Sequence, residues 1–318
     1  HLKRFVEALQ SYDQALAFDP ELPDVQYHKG VALEHCGRFD EALESYDNAI
    51  GLNARFAEAH HHRGIVLLQM RRFDEAIAAF DAALTIQPES PQVLYEKGRA
   101  LVMSGDPLDA IATFDLALAA HPGFAEAIFE KGKALFKTGN YEDAVTAFDR
   151  ALEGKPDCHQ ALFMKGRADF ELGRFEEAIT CYNHALEISP GSANVHYFKG
   201  VAYAAGEQHQ DAIQAYDRAL ELDPSYAAAF SHKGVSLAEL GLSRDAIDAF
   251  DRAIEHDRTY ADAYLGKGNA YYDIGRSGDA IKNYEKVLEL APENAVAWTR
   301  KGMALADLQK YEDAVVSY

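Results

Sequence analysis

Few residues in this sequence are of a type and spacing that could do chemistry. The densest metal-ligating set is the run His60, His61, His62. Neighbouring residues on a helix point about 100° apart, so three in a row cannot converge on one ion. His28 lies 34 residues before His62 and could approach it. The alternative is that these histidines face solvent or pack in a seam. Cys36, Cys158 and Cys181 are too few and too scattered for a disulfide framework or a zinc site. They read as small buried side chains in a reducing compartment. Acidic residues such as Glu41 and Asp143 sit beside an alanine and recur at regular intervals. A catalytic pair need occur only once, so recurrence marks them as helix-start charges favoured by the dipole. There is no phosphate-cradling glycine loop, no HExxH and no Gly-x-Ser-x-Gly elbow. Neither an enzyme, a metal nor a cofactor is expected.

What positions these residues is a strict period. Glycine occurs at Gly30, Gly64, Gly98, Gly132, Gly166, Gly200, Gly234, Gly268 and Gly302, a step of 34 each time. Alanine keeps the step from Ala8 and Ala42 to Ala314, and an aromatic residue keeps it from Tyr12, Tyr46 and Phe80 to Tyr318. Three series in one register mark a repeat array. Each unit reads as two helices. The first carries the glycine. A turn follows at Gly37, Gly105, Gly139, Gly173, Gly241 or Gly275, where a left-handed residue closes the helix. The second ends near Pro20, Pro88, Pro122, Pro156, Pro190, Pro224 or Pro292. Asp106-Pro107 gives a capping residue followed by proline at the first helical position. Glycine inside a helix costs about 1 kcal/mol against alanine. Its return in every unit implies that close contact offsets the cost: glycine and the alanine twelve residues later let the two helices of a hairpin approach closely. A second alanine series, Ala15 to Ala253, admits the first helix of the next unit.

The glycine-alanine-aromatic-alanine-proline framework, the 34-residue period and Trp298 four residues before Gly302 resemble the tetratricopeptide repeat family over the whole chain. The reading is one all-α solenoid. Its parts are a second helix over 1–22, full repeats over 23–56, 57–90, 91–124, 125–158, 159–192, 193–226, 227–260 and 261–294, and a truncated one over 295–318. The resemblance implies a right-handed α-solenoid superhelix whose first helices line a concave groove.

The residue before each repeat glycine is Lys or Arg, and an acid usually follows the second-helix aromatic sixteen residues earlier. The expectation is a structural ladder of Lys29 with Asp13, Arg63 with Asp47, Lys97 with Asp81 and Lys131 with Asp115, each stem laid along a seam. Asp169 stands where other units have Leu101, Leu135 or Leu237. A buried lone carboxylate is expensive, so it should reach solvent or pair with Arg167 or Lys165.

Ligand-reading positions should vary where framework positions recur. Three before, one after and four after each glycine share a helix face. There the middle units carry Tyr95, Arg99, Phe129, Lys133, Phe136, Phe163, Arg167, Phe170 and Tyr197. Aromatics and arginine are enriched at binding hot spots, so this is the candidate groove for a peptide with acidic and apolar groups. The alternative is that the rings fill space between first helices. The family's carboxylate clamp needs lysine where Leu265 stands beside Asn269, so that mode is not expected.

A net charge of −20 and pI near 5 argue against duplex nucleic acid and anionic membranes. No apolar run approaches the ~18 residues of a membrane span, and a cytoplasmic location is expected. The chain starts and stops in a second helix, so it reads as an adaptor, as the sensor or docking arm of a larger protein, or as a solenoid that stacks head to tail.

Overall fold

The computed structural model describes residues 2–317, with side chains from Arg4 onward. Tyr318, the last member of the aromatic series, lies outside them. The described residues form nineteen helices and no strand: an all-α array of repeats. Two compact units, His1–Pro156 and Asp157–Tyr318, divide the chain.

Unit 1 runs α1 (Leu2–Phe18), α2 (Pro23–His35), α3 (Phe39–Leu52), α4 (Ala57–Gln69), α5 (Phe73–Ile86), α6 (Pro91–Ser104), α7 (Pro107–Ala120), α8 (Ala125–Lys137) and α9 (Tyr141–Gly154). Unit 2 runs α10 (His159–Glu171), α11 (Phe175–Ile188), α12 (Ala193–Ala205), α13 (His209–Leu222), α14 (Ala227–Glu239), α15 (Ser243–His256), α16 (Ala261–Asp273), α17 (Ser277–Leu290), α18 (Ala295–Asp307) and α19 (Tyr311–Ser317). Even-numbered helices are the first helices of each repeat. Within each unit every helix packs on its chain neighbours, and successive first helices also touch. Successive second helices do not among the described residues. Each array therefore closes towards its first helices, whose free side is the inner face.

The packing unit is a glycine under a ring. Tyr46, Phe80, Phe114, Phe148, Tyr182, Tyr216, Phe250 and Tyr284 are at most 1% exposed. Each lies over the glycine sixteen residues earlier: a Cβ on Gly98 would stand 2.5 Å from Phe114 Cε1, and one on Gly132 2.7 Å from Phe148 Cε1. The glycine thus gives room to the aromatic sixteen residues on, a contact its spacing alone does not name. At Gly166 the alanine twelve residues on is near as well, with Ala178 O at 3.1 Å. Ala42 and its repeats remain wholly buried and bring the helix backbones together.

The six turn glycines all take positive φ. Arg71, Glu207 and Gln309 occupy the matching turns with φ of 62°, 59° and 60°. The repeat geometry imposes a left-handed residue even where no glycine is supplied, against a cost of roughly 1–2 kcal/mol. Asp106 does stand before Pro107 at the start of α7, but it makes no capping bond. Its Oδ2 instead accepts from Ser104 Oγ at 3.2 Å.

Candidate functional site

The lysines and acids of the ladder meet across the seams of successive repeats. Lys29 Nζ lies 2.8 Å from Asp13, Arg63 Nε 2.7 Å from Asp47, Lys97 Nζ 2.6 Å from Asp81 and Lys131 Nζ 2.5 Å from Asp115. In unit 2, Lys233 pairs with Asp217, Lys267 with Asp251 and Lys301 with Glu285. The cationic side chains are 17–28% exposed and the acids 45–60%. The stems are therefore packed while the charged ends stay near water, where such pairs contribute about 0–1 kcal/mol each. At Lys199 the residue sixteen earlier is Asn183 instead of an acid. Burial lowers the Lys199 amine's pKa, and Nζ stands 5.6 Å from the Tyr203 ring. Lys97→Met, which keeps the stem, is expected to lower stability by less than about 1 kcal/mol. Lys97→Ala should lower it by more, because the seam loses its methylenes. Urea unfolding of the two variants beside the parent checks the order.

On the inner face of unit 1 the structure groups the candidate groove residues into two matching sets. On α6, Arg99 Cζ stands 5.7 Å from the Tyr95 ring centre and Nη1 donates to Glu96 Oε2 at 2.8 Å. On α8, Lys133 Nζ stands 5.6 Å from the Phe129 ring and donates to both Glu130 oxygens at 2.9 Å. Aromatic, acid and base are thus one cluster, repeated one step on. Arg99 and Lys133 keep 40% and 41% of their side chains exposed. Glu96 is buried, and burial raises its carboxyl above the ordinary range while Arg99 pulls it back. The rings also fill seams: Tyr95 lies 6.3 Å from Phe114 and 5.1 Å from Phe124, and Phe129 lies 5.8 Å from Phe148. Phe136 lies edge-on to Tyr141 at 5.3 Å.

In unit 2, Phe163 packs on Tyr182 at 6.0 Å and on Phe198 at 5.5 Å. Arg167 covers the Phe198 ring at 4.6 Å. Phe170 packs on Phe175 at 5.6 Å, as Phe136 does on Tyr141. Tyr197 lies 6.1 Å from Tyr216, 4.9 Å from Tyr226 and edge-on to His232 at 5.4 Å.

The histidine run fans out as helical spacing demands. His60 Nε2 reaches Ala54 O at 3.2 Å, while His62 Nδ1 lies 3.1 Å from Glu34 Oε2. His61 turns inward against Phe80, and its Nε2 is buried without a partner among the described residues. Tyr46 Oη also donates to Glu34, at 2.8 Å. Burial would raise the Glu34 carboxyl, but the bonds from His62 and Tyr46 outweigh it and hold it below the ordinary range. No group of three metal-ligating side chains is placed to hold an ion among the described residues. Asp169 is buried, with Arg174 Nη1 3.8 Å from Oδ1 and Cys181 Sγ 3.8 Å from Oδ2. Arg174 belongs to the turn after α10, and the sequence reading did not name it.

The sequence reading also passed over Glu96 and Glu130, two positions before the glycine. The flanking repeats carry His62 and Met164 at this offset, so the acid is confined to two neighbouring repeats and does not belong to the framework. Two surface troughs lie elsewhere, between successive second helices. One is floored by Ile128 and the Lys131–Asp115 pair, and its match in unit 2 is floored by Phe230 and Lys233. Because the troughs recur with the framework, they read as seams of the solenoid. No described helix is long and apolar enough to cross a membrane.

The tetratricopeptide repeat family model matches residues 61–125, 129–193, 164–227 and 197–264. Two related models match residues 261–294 and 35–70. No curated protein matches the chain in sequence. Among solved structures, a tetratricopeptide repeat protein from Parabacteroides merdae is 13% identical with a TM-score of 0.61, over 78% of this chain and 98% of its own. MamA from Desulfovibrio magneticus is 24% identical with a TM-score of 0.51, over 54% of this chain and 96% of its own. YrrB, described as a TPR protein with an unusual peptide-binding site, is 23% identical with a TM-score of 0.49, over 58% and 95%. With family models matching most of residues 35–294 and each unit packed as consecutive helix pairs, the chain belongs to the tetratricopeptide repeat family and has the build of a protein-interaction scaffold.

Proposed function

We propose that the inner faces of the two units bind a peptide or protein segment. Tyr95, Arg99, Phe129, Lys133 and Phe136 carry the site in unit 1, and Phe163, Arg167, Phe170 and Tyr197 carry it in unit 2. The supporting observation is the aromatic-acid-base cluster on α6 and its copy on α8, each with a cation at least two-fifths exposed. A guanidinium has five donors, and Glu96 takes one of those on Arg99. The remainder can meet a backbone carbonyl or a carboxylate, while the ring edges take apolar groups. Clusters one repeat apart suit an extended or helical segment that offers the same chemistry at intervals. The overall charge of −20 repels acidic partners at long range, so recognition falls to these local contacts.

The test uses fluorescence anisotropy with labelled peptides in which Glu alternates with Leu or Phe. Arg99→Gln with Lys133→Gln is expected to weaken binding at least tenfold, about 1.4 kcal/mol. Circular dichroism checks that the variant keeps its helices. Unchanged affinity in a folded variant would exclude this face.

A further inference from the structure

The cluster around Glu34 in unit 1 has a near copy in unit 2. Tyr27, Tyr46, Phe56 and His62 recur five 34-residue steps on as Tyr197, Tyr216, Tyr226 and His232. Their geometry recurs too. Tyr27 lies 6.1 Å from Tyr46, 5.1 Å from Phe56 and edge-on to His62 at 5.5 Å. Tyr197 lies 6.1 Å from Tyr216, 4.9 Å from Tyr226 and edge-on to His232 at 5.4 Å. Tyr46 and His62 stand 5.9 Å apart, and Tyr216 and His232 stand 6.1 Å apart.

The carboxylate is what differs. Glu34 accepts from Tyr46 Oη at 2.8 Å and lies 3.1 Å from His62 Nδ1. The matching residue in α12 is Ala204. Tyr216 is fully buried, and its hydroxyl has no hydrogen-bond partner among the described residues. Tyr182 Oη is likewise buried without a hydrogen-bond partner among the described residues, but there Phe170 stands where Ala204 does, so no small residue opens a path to it. The other repeats settle this position differently. Phe80, Phe114, Phe148 and Phe250 carry no hydroxyl there, and Tyr284 donates to Asn269 at 3.0 Å. Above Tyr216 the inner face is small and apolar: Val201 and Ala204 are partly exposed, and Val235 is 48% exposed.

We propose that unit 2 holds a carboxylate-binding site between α12 and α14. There Tyr216 Oη and a His232 ring nitrogen hydrogen-bond an aliphatic carboxylate brought by a partner, at the place Glu34 fills in unit 1. The incoming group follows the path of the Glu34 chain past Ala204, with its stem against Val201 and Val235. Bonds from neutral donors to an ionised acceptor are the stronger kind, which favours a carboxylate over an amide. Burial lowers the pKa of His232, and Asp262 from α16 partly opposes this. The proposal rests on the reading of the inner face as a peptide site and names one chemical group that unit 2 takes.

The experiment follows His232 side-chain resonances in the full chain at ~0.15 M salt, where the Debye length is about 8 Å. Three probes are titrated: acetyl-Ala-Glu-Ala-amide, acetyl-Ala-Ala-Ala with a free terminal carboxylate, and neutral acetyl-Ala-Gln-Ala-amide. A saturable shift with either or both acidic probes, and none with the third, is expected. Comparing the first two tells an acidic side chain from a chain terminus. Tyr216→Phe should weaken the response at least tenfold while preserving ring packing. Ala204→Glu should abolish the response and raise Tm by about 2–4 °C, because an internal carboxylate then meets the buried hydroxyl. Silence with both acidic probes, an equal response to the glutamine peptide, or full binding in Ala204→Glu overturns the site. So does a lowered Tm in that variant. If the longer Glu-Leu peptides bind while His232 stays unmoved, the inner-face reading stands and the carboxylate site falls.

Discussion

Phe114→Ala in α7 is expected to destabilise unit 1 by about 3–5 kcal/mol, the largest effect of any single substitution considered for this chain. The ring is wholly buried and lies directly over Gly98, so its removal leaves a hole that two rigid helices cannot close. Gly98→Ala attacks the same contact from the other side. Its methyl would stand 2.5 Å from Phe114 Cε1, and forcing the ring aside should cost about 1–3 kcal/mol despite alanine's better helix propensity. The double variant should be less destabilised than the sum of the two, because the new methyl enters space that the ring vacates. Denaturant melts of all four proteins measure this coupling. Strict additivity would mean that glycine and ring do not act as a pair.

The second large effect is on pH dependence. Burial, aided by repulsion from His62, pushes the His61 ring down to about 4, against an ordinary value of 6.5. Between those values the folded ring is neutral while the unfolded one binds a proton. The unfolded state therefore binds more protons, and stability rises with pH across this window. Read downward, acidification from pH 6.5 to 4 should remove on the order of 2–3 kcal/mol from unit 1. Glu34 extends the loss. Its carboxyl is held below 4.5, so the stability it contributes is present above that value and disappears as pH falls beneath it. His61→Phe puts at this position the residue type that Phe129 and Phe163 supply elsewhere. It should flatten the pH 4–6.5 limb and leave the Glu34 limb in place. Thermal melts at pH 7.5, 5.5 and 4.5 test this, and an unchanged slope in the variant would assign the acid sensitivity to other groups.

Features that recur were legible in the sequence, because repetition separates signal from accident. Helix pairs, turn glycines and the spacing between Lys97 and Asp81 all follow from one period. Linear spacing does not say which atoms a residue faces. The period marks the framework glycine as a place of close helix approach, but does not say that a ring sixteen residues on sits over it. Features that occur once or twice were harder to read. Glu96 and Glu130 look like ordinary variable polar residues until the helix brings them beside Arg99 and Lys133. Arg71, Glu207 and Gln309 carry no sign of their left-handed backbone, which the fold imposes from both flanks. Asp169 finds Arg174 across a turn whose geometry no composition reveals.

Among the described residues of each unit, a helix touches only its chain neighbours and, for first helices, the next but one. Such an array has no single nucleus of stability, and its cohesion is a series of near-identical joints. A ligand that bridges two neighbouring first helices therefore acts as an added rivet at one joint, raising the resistance to opening locally and fading a repeat or two away. An interior joint that opens divides its unit into two shorter stacks, whereas an end joint that opens only shortens the row. A scaffold of this kind would register a bound partner as a redistribution of where it breathes.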